Sequence, residues 1–569
     1  MKRSMRNMSQ LYLFFMVFLV SFHSSLPFHN SECDTYPSPV CKNQANFVPG
    51  YNFIGEGVDI TTLEKKGAYV VDISKWQGPN GTCTLCRNHK MGEKLQRLPL
   101  VGVDWREKET CQRQANNFVD ELDIDVANAV AKEVKNDWKT EFTEDFMEDD
   151  LGLSKAQVAF AGSHSNLAIF AHQKTREDRY SFLRNEIECE HYSLRLQQNP
   201  LLSFHFAWAI GRLPPYYDPE EYQNFINIYG THYINRVYLG GRARYLLALK
   251  TCAMSLMGFT VEKVKACLDL ETSLKGKGLW GVASFHFECA KLWFRKSKPS
   301  FYDLYMTQHT EVIGGHKQML FSDSRNMDHL SEWMESTKRT PGLVSYSLLS
   351  LHTLLNKTDP RRNFLKQATV SYIKRRALRR DCRQSCPENN FNSLVRRCTC
   401  MCIPNGVIND KCCGTERGRA YLRFHVDSGS GLWGDHFSST DAYVKIFFQK
   451  QERRTRVISG NNNPQWSENL DFGAITLEGN DRFLVEVWDS DVWHDDLLYR
   501  SHRMLSSGLS KWQKCYLHYG HVKFYYVLMC APTLTGSSCH DYVPLHLPTS
   551  YFNDTNTNWE TSWSHRFHA

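Results

Sequence analysis

The stretch Tyr229–Leu249, YGTHYINRVYLGGRARYLLAL, decides how the larger part of the chain folds. From Tyr233 to Leu249 it reads as one long strand, interrupted at Gly240-Gly241. Paired glycines inside a strand mark a bend or a bulge, because they have no side chain to pack and reach backbone angles that other residues avoid. A second pair, Gly314-Gly315, follows TQHTEVI in a similar setting. Around these strands, residues 30 to about 380 mix helix and strand signals with no obvious linker, which predicts an α+β domain.

Phe118–Phe146 carries apolar residues at helical spacing among acids and lysines, as a surface helix does. Ala156–Phe170 reads as a strand entering a less regular segment. Two other segments hold no single period. Ala253–Leu274 is helix-like through Leu256, Val261, Val264 and Leu268, and Phe285–Cys289 then alternates. Lys174–Leu196 starts helical and charged and ends alternating at Ile187-Glu188-Cys189-Glu190. Either these are surface helices packed on a sheet, or they are helical in solution and later become membrane hairpins. In the second case lipid-facing and water-facing residues alternate, with about ten residues per crossing.

With 569 residues the chain is too long for one core and predicts three or four domains. Residues 1–25 read as a secretory signal peptide: Lys2, Arg3 and Arg6, an apolar run Leu11–Val20, then small residues. That run is half the roughly 20 residues of a spanning helix. Nineteen cysteines agree with an oxidising compartment, and their odd number leaves at least one unpaired within the chain. Seven of them crowd Cys382–Cys413, where a segment too small for a core is held by crosslinks; disulfides are favoured there over zinc. The net charge of +7 is mild and excludes no class by itself. The one basic run, Lys374–Arg380 (KRRALRR), reads as a solvated helix face, and nucleic acid is not an expected partner. The sequons at Asn80, Asn356 and Asn553 are candidate glycan sites on the surface.

From Ala420 onward short, turn-rich strands predict a β-sandwich. Six aspartates adjoin two of them: Asp435 and Asp441 in LWGDHFSSTDAYVKIFF, and Asp489, Asp491, Asp495 and Asp496 in FLVEVWDSDVWHDDLL. Clustered carboxylates repel one another unless a cation neutralises them, and oxygen ligands at this density suit Ca2+. Trp433 and Trp493 flank the acids. An indole there either sits at a lipid headgroup region or fills the sandwich core. No G-x-S-x-G or H-E-x-x-H motif occurs, so a hydrolase is not expected.

Tyr229-Gly230-Thr231-His232-Tyr233 closely resembles the signature of the membrane attack complex/perforin (MACPF) family. Gly55–Asp59, Leu239–Arg242 and Val312–His316 stand around it as in that family, while the cysteine-rich segment and the C-terminal part resemble an EGF-like element and a C2 domain. The resemblance covers nearly the whole chain. It implies a MACPF domain over 30–380 with a bent central antiparallel sheet and flanking helical clusters. It further implies an EGF-like element over 381–414, a C2 sandwich over 415–545 and a tail over 546–569. It implies no enzyme activity. The C2 domain binds Ca2+ through the six aspartates and docks on a phospholipid membrane; subunits assemble into a homo-oligomeric ring; two helical clusters, near Lys155–Leu196 and Cys252–Ser300, unfurl into the hairpins of a barrel. The glycine pairs 240–241 and 314–315 then act as hinges. Secretion, storage in cytolytic granules and co-delivery with granule proteases are implied in the same way. The third cation loop is one residue shorter than the family's, leaving Asp495 and Asp496 as alternatives. Cys515 lacks the partner expected after that loop. The positions aligned with an intersubunit charge pair, Asn224 and Leu349, carry no charge. A non-lytic member acting in adhesion or as a partner in pore assembly is the rival reading.

Overall fold

A computed structural model of the chain describes residues 32–43, 46–114, 119–120, 122–142, 156–265, 306–317, 327–381, 393–396, 399–434, 438–545 and 550–552. The signal-peptide expectation for 1–25, Asp435, Asn553, Cys382, Cys386 and Cys398 lie outside these residues, as does most of the segment Cys252–Ser300.

The strands of the first body are β1 (Glu56–Asp59), β2 (Gly102–Gln114), β3 (Ala156–Ala159), β4 (Tyr180–Leu196), β5 (His232–Lys250), β6 (Met306–Ile313), β7 (Gly342–Ser350) and β8 (Leu378–Asp381); β1, β2, β4, β5, β6 and β7 share the main sheet, and β3 and β8 pair in a separate small one. The quoted stretch supplies β5. All its pairings are antiparallel. Along one edge β5 meets β1 at His232–Tyr233 and then β4 from Arg236 to Lys250. Along the other it pairs β7 up to Gly240 and changes partner to β6 at Arg242. The glycine pair therefore marks both a register shift against β4 and the point where one neighbour gives way to the next.

The longer helices among the described residues are α1 (Asp123–Val130), α2 (Asn166–Glu177), α3 (Phe204–Arg212), α4 (Pro219–Tyr229), α5 (Met327–Arg339) and α6 (Pro360–Arg375). Helix α4 shows why they form where they do. Asp218 accepts the Glu220 and Glu221 N–H groups, Pro219 opens the first turn, and Gly230 at φ 84° ends it. Its buried residues Tyr222, Phe225 and Ile226 join Phe206 of α3, Leu365 of α6 and Ile234, Val237 and Leu239 of β5 in the main core.

Two expectations are corrected here. Among the described residues of Phe118–Phe146 the helix is the short α1 followed by two single 3-10 turns, and α1 is not a surface helix: Ile124, Val126, Ala127 and Val130 are all buried. Apolar residues on several sides suit an enclosed helix, which spacing alone does not separate from an amphipathic one. The run Lys374–Arg380 is not a solvated face either. The helix ends within it, Ala377 and Leu378 are fully buried, and Arg380 is buried near Asp123 and Asp125.

Where Lys174–Leu196 was undecided, the answer is helix α2 followed by the strand β4, bridged to β2 by Cys111–Cys189. Disulfides Cys402–Cys412 and Cys252–Cys413 hold three of the four described cysteines of the rich segment and tie it to the residues after β5. Cys515 is a buried thiol.

The second body is a β-sandwich of β9 (Arg419–Ser430), β10 (Ala442–Phe448), β11 (Gln451–Arg454), β12 (Gln465–Thr476), β13 (Arg482–Asp489), β14 (Asp496–Met504), β15 (Gln513–Tyr516) and β16 (His521–Cys530). One sheet runs β12-β9-β16 with β15 beside β16; the other runs β11-β10-β13-β14. Alternating residues such as Leu422, Phe424 and Val426, with Trp466 of the neighbouring β12, face Phe483 and Val485 of the other sheet in a shared core. The chain then returns to the first body, where β17 (Tyr551–Phe552) adds to β8 and β3. Ser550 Oγ donates to Asp123 Oδ1 at 2.5 Å, Phe552 stacks on His164, and the Tyr542 hydroxyl donates to Asp178 at 2.6 Å. This tail thereby contacts both α1 and the end of α2.

Candidate cation and membrane-docking rim

Three loops meet at one end of the sandwich. Loop 431–441 follows β9, loop 455–464 leads into β12, and loop 490–495 joins β13 to β14. Backbone bonds knit them together: Leu432 N–H donates to Asn462 O, Asn461 N–H to Thr440 O, and Ser490 N–H to Asp441 O. The Asn463–Trp466 stretch anchors the second loop, since Trp466 is buried and its Nε1 donates to Ala442 O at 3.3 Å.

The aspartates hang on this scaffold in three different ways. Asp489 ends β13, is buried, and accepts the Asp441 N–H at 2.6 Å through Oδ1. Its Oδ2 lies against Gly434, where a Cβ would come within 1.8 Å, so the loop passes directly over the carboxylate. Asp441 Oδ1 accepts the Gly460 N–H at 2.5 Å. Asp495 accepts the Tyr443 hydroxyl at 2.6 Å and the Asp491 N–H at 3.2 Å. The Tyr443 bond holds the Asp495 carboxyl below the usual range, while burial and that same carboxylate push the Tyr443 hydroxyl up.

Register separates the two residues that sequence left as alternatives. Asp496 is the first residue of β14, directly opposite Asp489, whereas Asp495 belongs to the loop. A bulge follows at once, because Val487 pairs Tyr499 and Trp488 pairs Leu497, leaving Leu498 extra. Among the described residues no three His, Cys, Asp or Glu side chains converge into a metal cluster. The donor chemistry nonetheless fits a hard cation: carboxylates on two facing loops, several of whose oxygens are taken by amides and a hydroxyl that a cation could replace.

Beside the acids, Trp493 is 90 % exposed and its neighbour Val492 is 95 % exposed. Sequence reading singled out the tryptophan and missed the valine, which a run of acids hides. Trp433 is 37 % exposed and packs edge-on against Tyr519 at 4.6 Å, so it lines the rim and is not sandwich core. Of the glycan sequons, Asn80 and Asn356 are exposed.

Comparison with known proteins places this geometry. The MAC/Perforin domain family matches residues 44–382, and the C2 domain family matches residues 420–514. Perforin-1 of Homo sapiens is 39% identical over 529 residues, covering 90% of this chain and 93% of that protein. The chain belongs to the MACPF family. The complement component C8 beta chain of Rattus norvegicus is 24% identical over 47% of this chain and 46% of its own length. A solved C2 domain is 32% identical over 19% of this chain and 98% of its own, with a TM-score of 0.18.

Within the MACPF fold the signature residues do structural work. Gly230 crosses Val58 so closely that a Cβ would lie 2.4 Å from its carbonyl oxygen. The Thr231 hydroxyl accepts the Ile60 N–H at 3.0 Å and lies 3.2 Å from Val58 O, pinning β1 to β5. His232 is fully buried, bonded to Thr231 at 2.8 Å and edge-on to Trp138 and Phe142; burial drops its pKa to about 3. It is a neutral, hydrogen-bonded core histidine. Tyr229 and Tyr233 are buried beside it.

The glycine pairs of the MACPF sheet make one cluster of close contacts. A Cβ on Gly314 would sit 2.2 Å from Gly240 O, and one on Gly241 would sit 2.3 Å from Thr337 of α5. Gly315, at φ 66°, faces Ser336 and Trp333 of the same helix. The Trp333 indole donates to Gly314 O at 3.1 Å. The glycines therefore let α5 lie directly on the partner switch.

One cluster escaped sequence reading altogether. Arg242 and Arg244, immediately past the glycines, are buried and meet Glu133, Glu186 and Glu311. Arg244 grips Glu186 with two nitrogens at 3.1 Å, and Arg242 donates to Val344 O at 2.7 Å.

Proposed function

We propose that this chain is a calcium-triggered, pore-forming cytolysin that docks on phospholipid through its C2 rim, assembles into a homo-oligomeric ring and inserts β-hairpins. The observation that carries the reading is topological. β2, β4, β5 and β6 are consecutive neighbours, a two-residue strand Val119–Asp120 follows β2 along the same side of β4, and the strand ends near Asp120, Tyr180, Lys250 and Met306 lie at one end of the sheet: Asp120 pairs Phe182, Lys250 pairs Tyr180, and Leu249 pairs Met306. Residues 121–179 and 251–305 thus leave from the same end, between strands that are already antiparallel partners. Continuing those strands would give each subunit four adjacent strands without any change of pairing. Such strands enter lipid only once neighbouring subunits close the edges, since an open edge in hydrocarbon leaves backbone groups unsatisfied at several kcal/mol each. Assembly must then precede insertion.

At the rim, Asp441, Asp489, Asp491 and either or both of Asp495 and Asp496, with Asp435, would hold Ca2+. The bound ion would supply neutralisation and a bridge to lipid phosphate. This chain's own residues position the carboxylates through Gly460, Asp441 and Tyr443, and present Val492, Trp433 and Trp493 to the bilayer interface. Gly240, Gly241, Gly314 and Gly315 would be the places where β5 rotates against its neighbours as α5 lifts. Similarity to perforin-1 supports secretion; storage in cytolytic granules and delivery with granule proteases are part of the same proposed reading. The rival reading, a non-lytic partner in adhesion or assembly, predicts docking without leakage. Dye release from liposomes separates the two: leakage with calcium and none in chelator supports the cytolysin, and calcium-dependent binding without leakage overturns it.

A further inference from the structure

A fourth element reaches the same rim, and it carries no acid at all. The hairpin formed by β15 and β16 turns at Leu517–Gly520, where the Leu517 N–H donates to Gly520 O. Its position is fixed by register and by contact. His521 pairs Ser430, the last residue of β9 before the first cation loop. Gly520 presses so closely on that strand end that a Cβ would be 2.2 Å from Ser430 O and 2.4 Å from the Gly431 carbonyl carbon. Tyr519 then meets Trp433 edge-on, making the hairpin tip continuous with the aromatic part of the rim.

The chemistry of this hairpin differs from that of its neighbours. No Asp or Glu occurs from Leu497 to His540. Tyr516 is 70 % exposed and Tyr519 is 47 % exposed, each an amphipathic ring at the tip. One row further back, exposed Lys514 stands directly opposite Lys523. Like charges facing each other across a strand pair cost stability. Lys523 is partly relieved by Asp427 at 3.3 Å and by the Trp512 ring at 4.0 Å. The arrangement is therefore tyrosine at the tip and ammonium behind it, the order in which a bilayer presents its interface and its phosphates to a protein lying on it.

We propose that the Lys514–Lys523 hairpin is a second lipid-contacting element that binds the phospholipid surface itself, beside and independent of the cation loops. This rests on reading the sandwich as the docking module. In it, Tyr516 and Tyr519 sit at headgroup depth and Lys514 pairs with lipid phosphate. The acid-free hairpin gives the docked protein a second point of attachment, which a set of loops around one cation does not.

The full-length protein tests this by co-sedimentation with vesicles of phosphatidylcholine and phosphatidylserine at saturating calcium. Tyr516→Ala with Tyr519→Ala is expected to weaken vesicle affinity about tenfold, a loss of about 1.4 kcal/mol for two rings that favour the headgroup interface. Lys514→Gln is expected to flatten the salt dependence of binding. Leu509→Ala, an equally exposed apolar residue paired with Val527 near the other end of β16, is expected to leave affinity unchanged. The calcium midpoint without vesicles, read by intrinsic fluorescence, is expected to stay at the wild-type value. Unchanged affinity in the tyrosine variant, an equal loss in Leu509→Ala, or a shifted calcium midpoint each overturns the proposal. Failure of the wild-type protein to bind any vesicle with calcium would instead bring down the docking reading, and the proposal with it.

Discussion

Two groups of acids in this molecule meet opposite fates. Glu133, Glu186 and Glu311 are drawn together inside the MACPF sheet and neutralised by Arg242 and Arg244. Asp441, Asp489 and Asp495 gather at the C2 rim and are held by amide groups and one tyrosine hydroxyl. A carboxylate closed by a guanidinium has its counter-charge built in and belongs to the folded architecture. A carboxylate closed by amides keeps its charge and can exchange those weak donors for a cation. The first group is part of the folded sheet; the second, on the proposed function, is the one a cation would reach.

The largest expected effect comes from breaking the built-in pairing. Arg244→Ala leaves buried Glu186 without its closest partner and Glu133 with Arg242 alone, and removing one side of a buried pair costs about 3–5 kcal/mol. Denaturant unfolding of the variant checks this; a loss confined to the range of surface pairs would show that water reaches the cluster.

A smaller effect follows from His232. Its folded pKa, about 3, lies below the ordinary 6.5, so the folded core excludes a proton that the unfolded chain accepts. The neutral histidine thus contributes stability above pH 6.5, lost progressively as pH falls from 6.5 toward 3. By pH 5 the loss reaches about 2 kcal/mol, from 1.5 units at 1.36 kcal/mol each. Melting curves of wild type and His232→Gln between pH 7 and pH 5 measure it, and the variant is expected to show the shallower decline.

Much of this contrast was legible in sequence, and the reasons it was not wholly so are local. The glycines of β5 announced an irregular strand because no other residue serves there, yet the partner switch from β7 to β6 is a long-range fact that no local pattern carries. Arg242 and Arg244 sit in alternation with apolar residues, which reads as a solvated strand face; only the arrival of Glu133 and Glu311 from distant segments buries them. The carboxylates at the rim were visible through their density. Asp495 and Asp496 differ in place, one in the loop and one at the strand end opposite Asp489, which pairing shows and the run of acids does not; which of them would be a ligand is left to experiment. The return of Ser550–Phe552 to α1 and α2 left no sequence signal, since a two-residue strand has no period.

The smallest effect sharpens the rim. Tyr443→Phe removes the hydroxyl that occupies Asp495, with little change in stability because the exposed Asp495 carboxylate can bond water in its place and the buried ring is kept. If Asp495 is a ligand, the calcium midpoint falls a few-fold, as isothermal titration would record; an unchanged midpoint assigns the role to Asp496.

The central claim is that the rim acids answer to a cation and the sheet acids do not. Vesicle co-sedimentation across a calcium titration, run on wild type and on Asp441→Asn with Asp491→Asn, tests it most directly. The account predicts that wild type binds only with calcium and that the variant stays in solution at every concentration while unfolding at the wild-type midpoint. Equal binding by the variant, or wild-type binding undiminished in chelator, would contradict it.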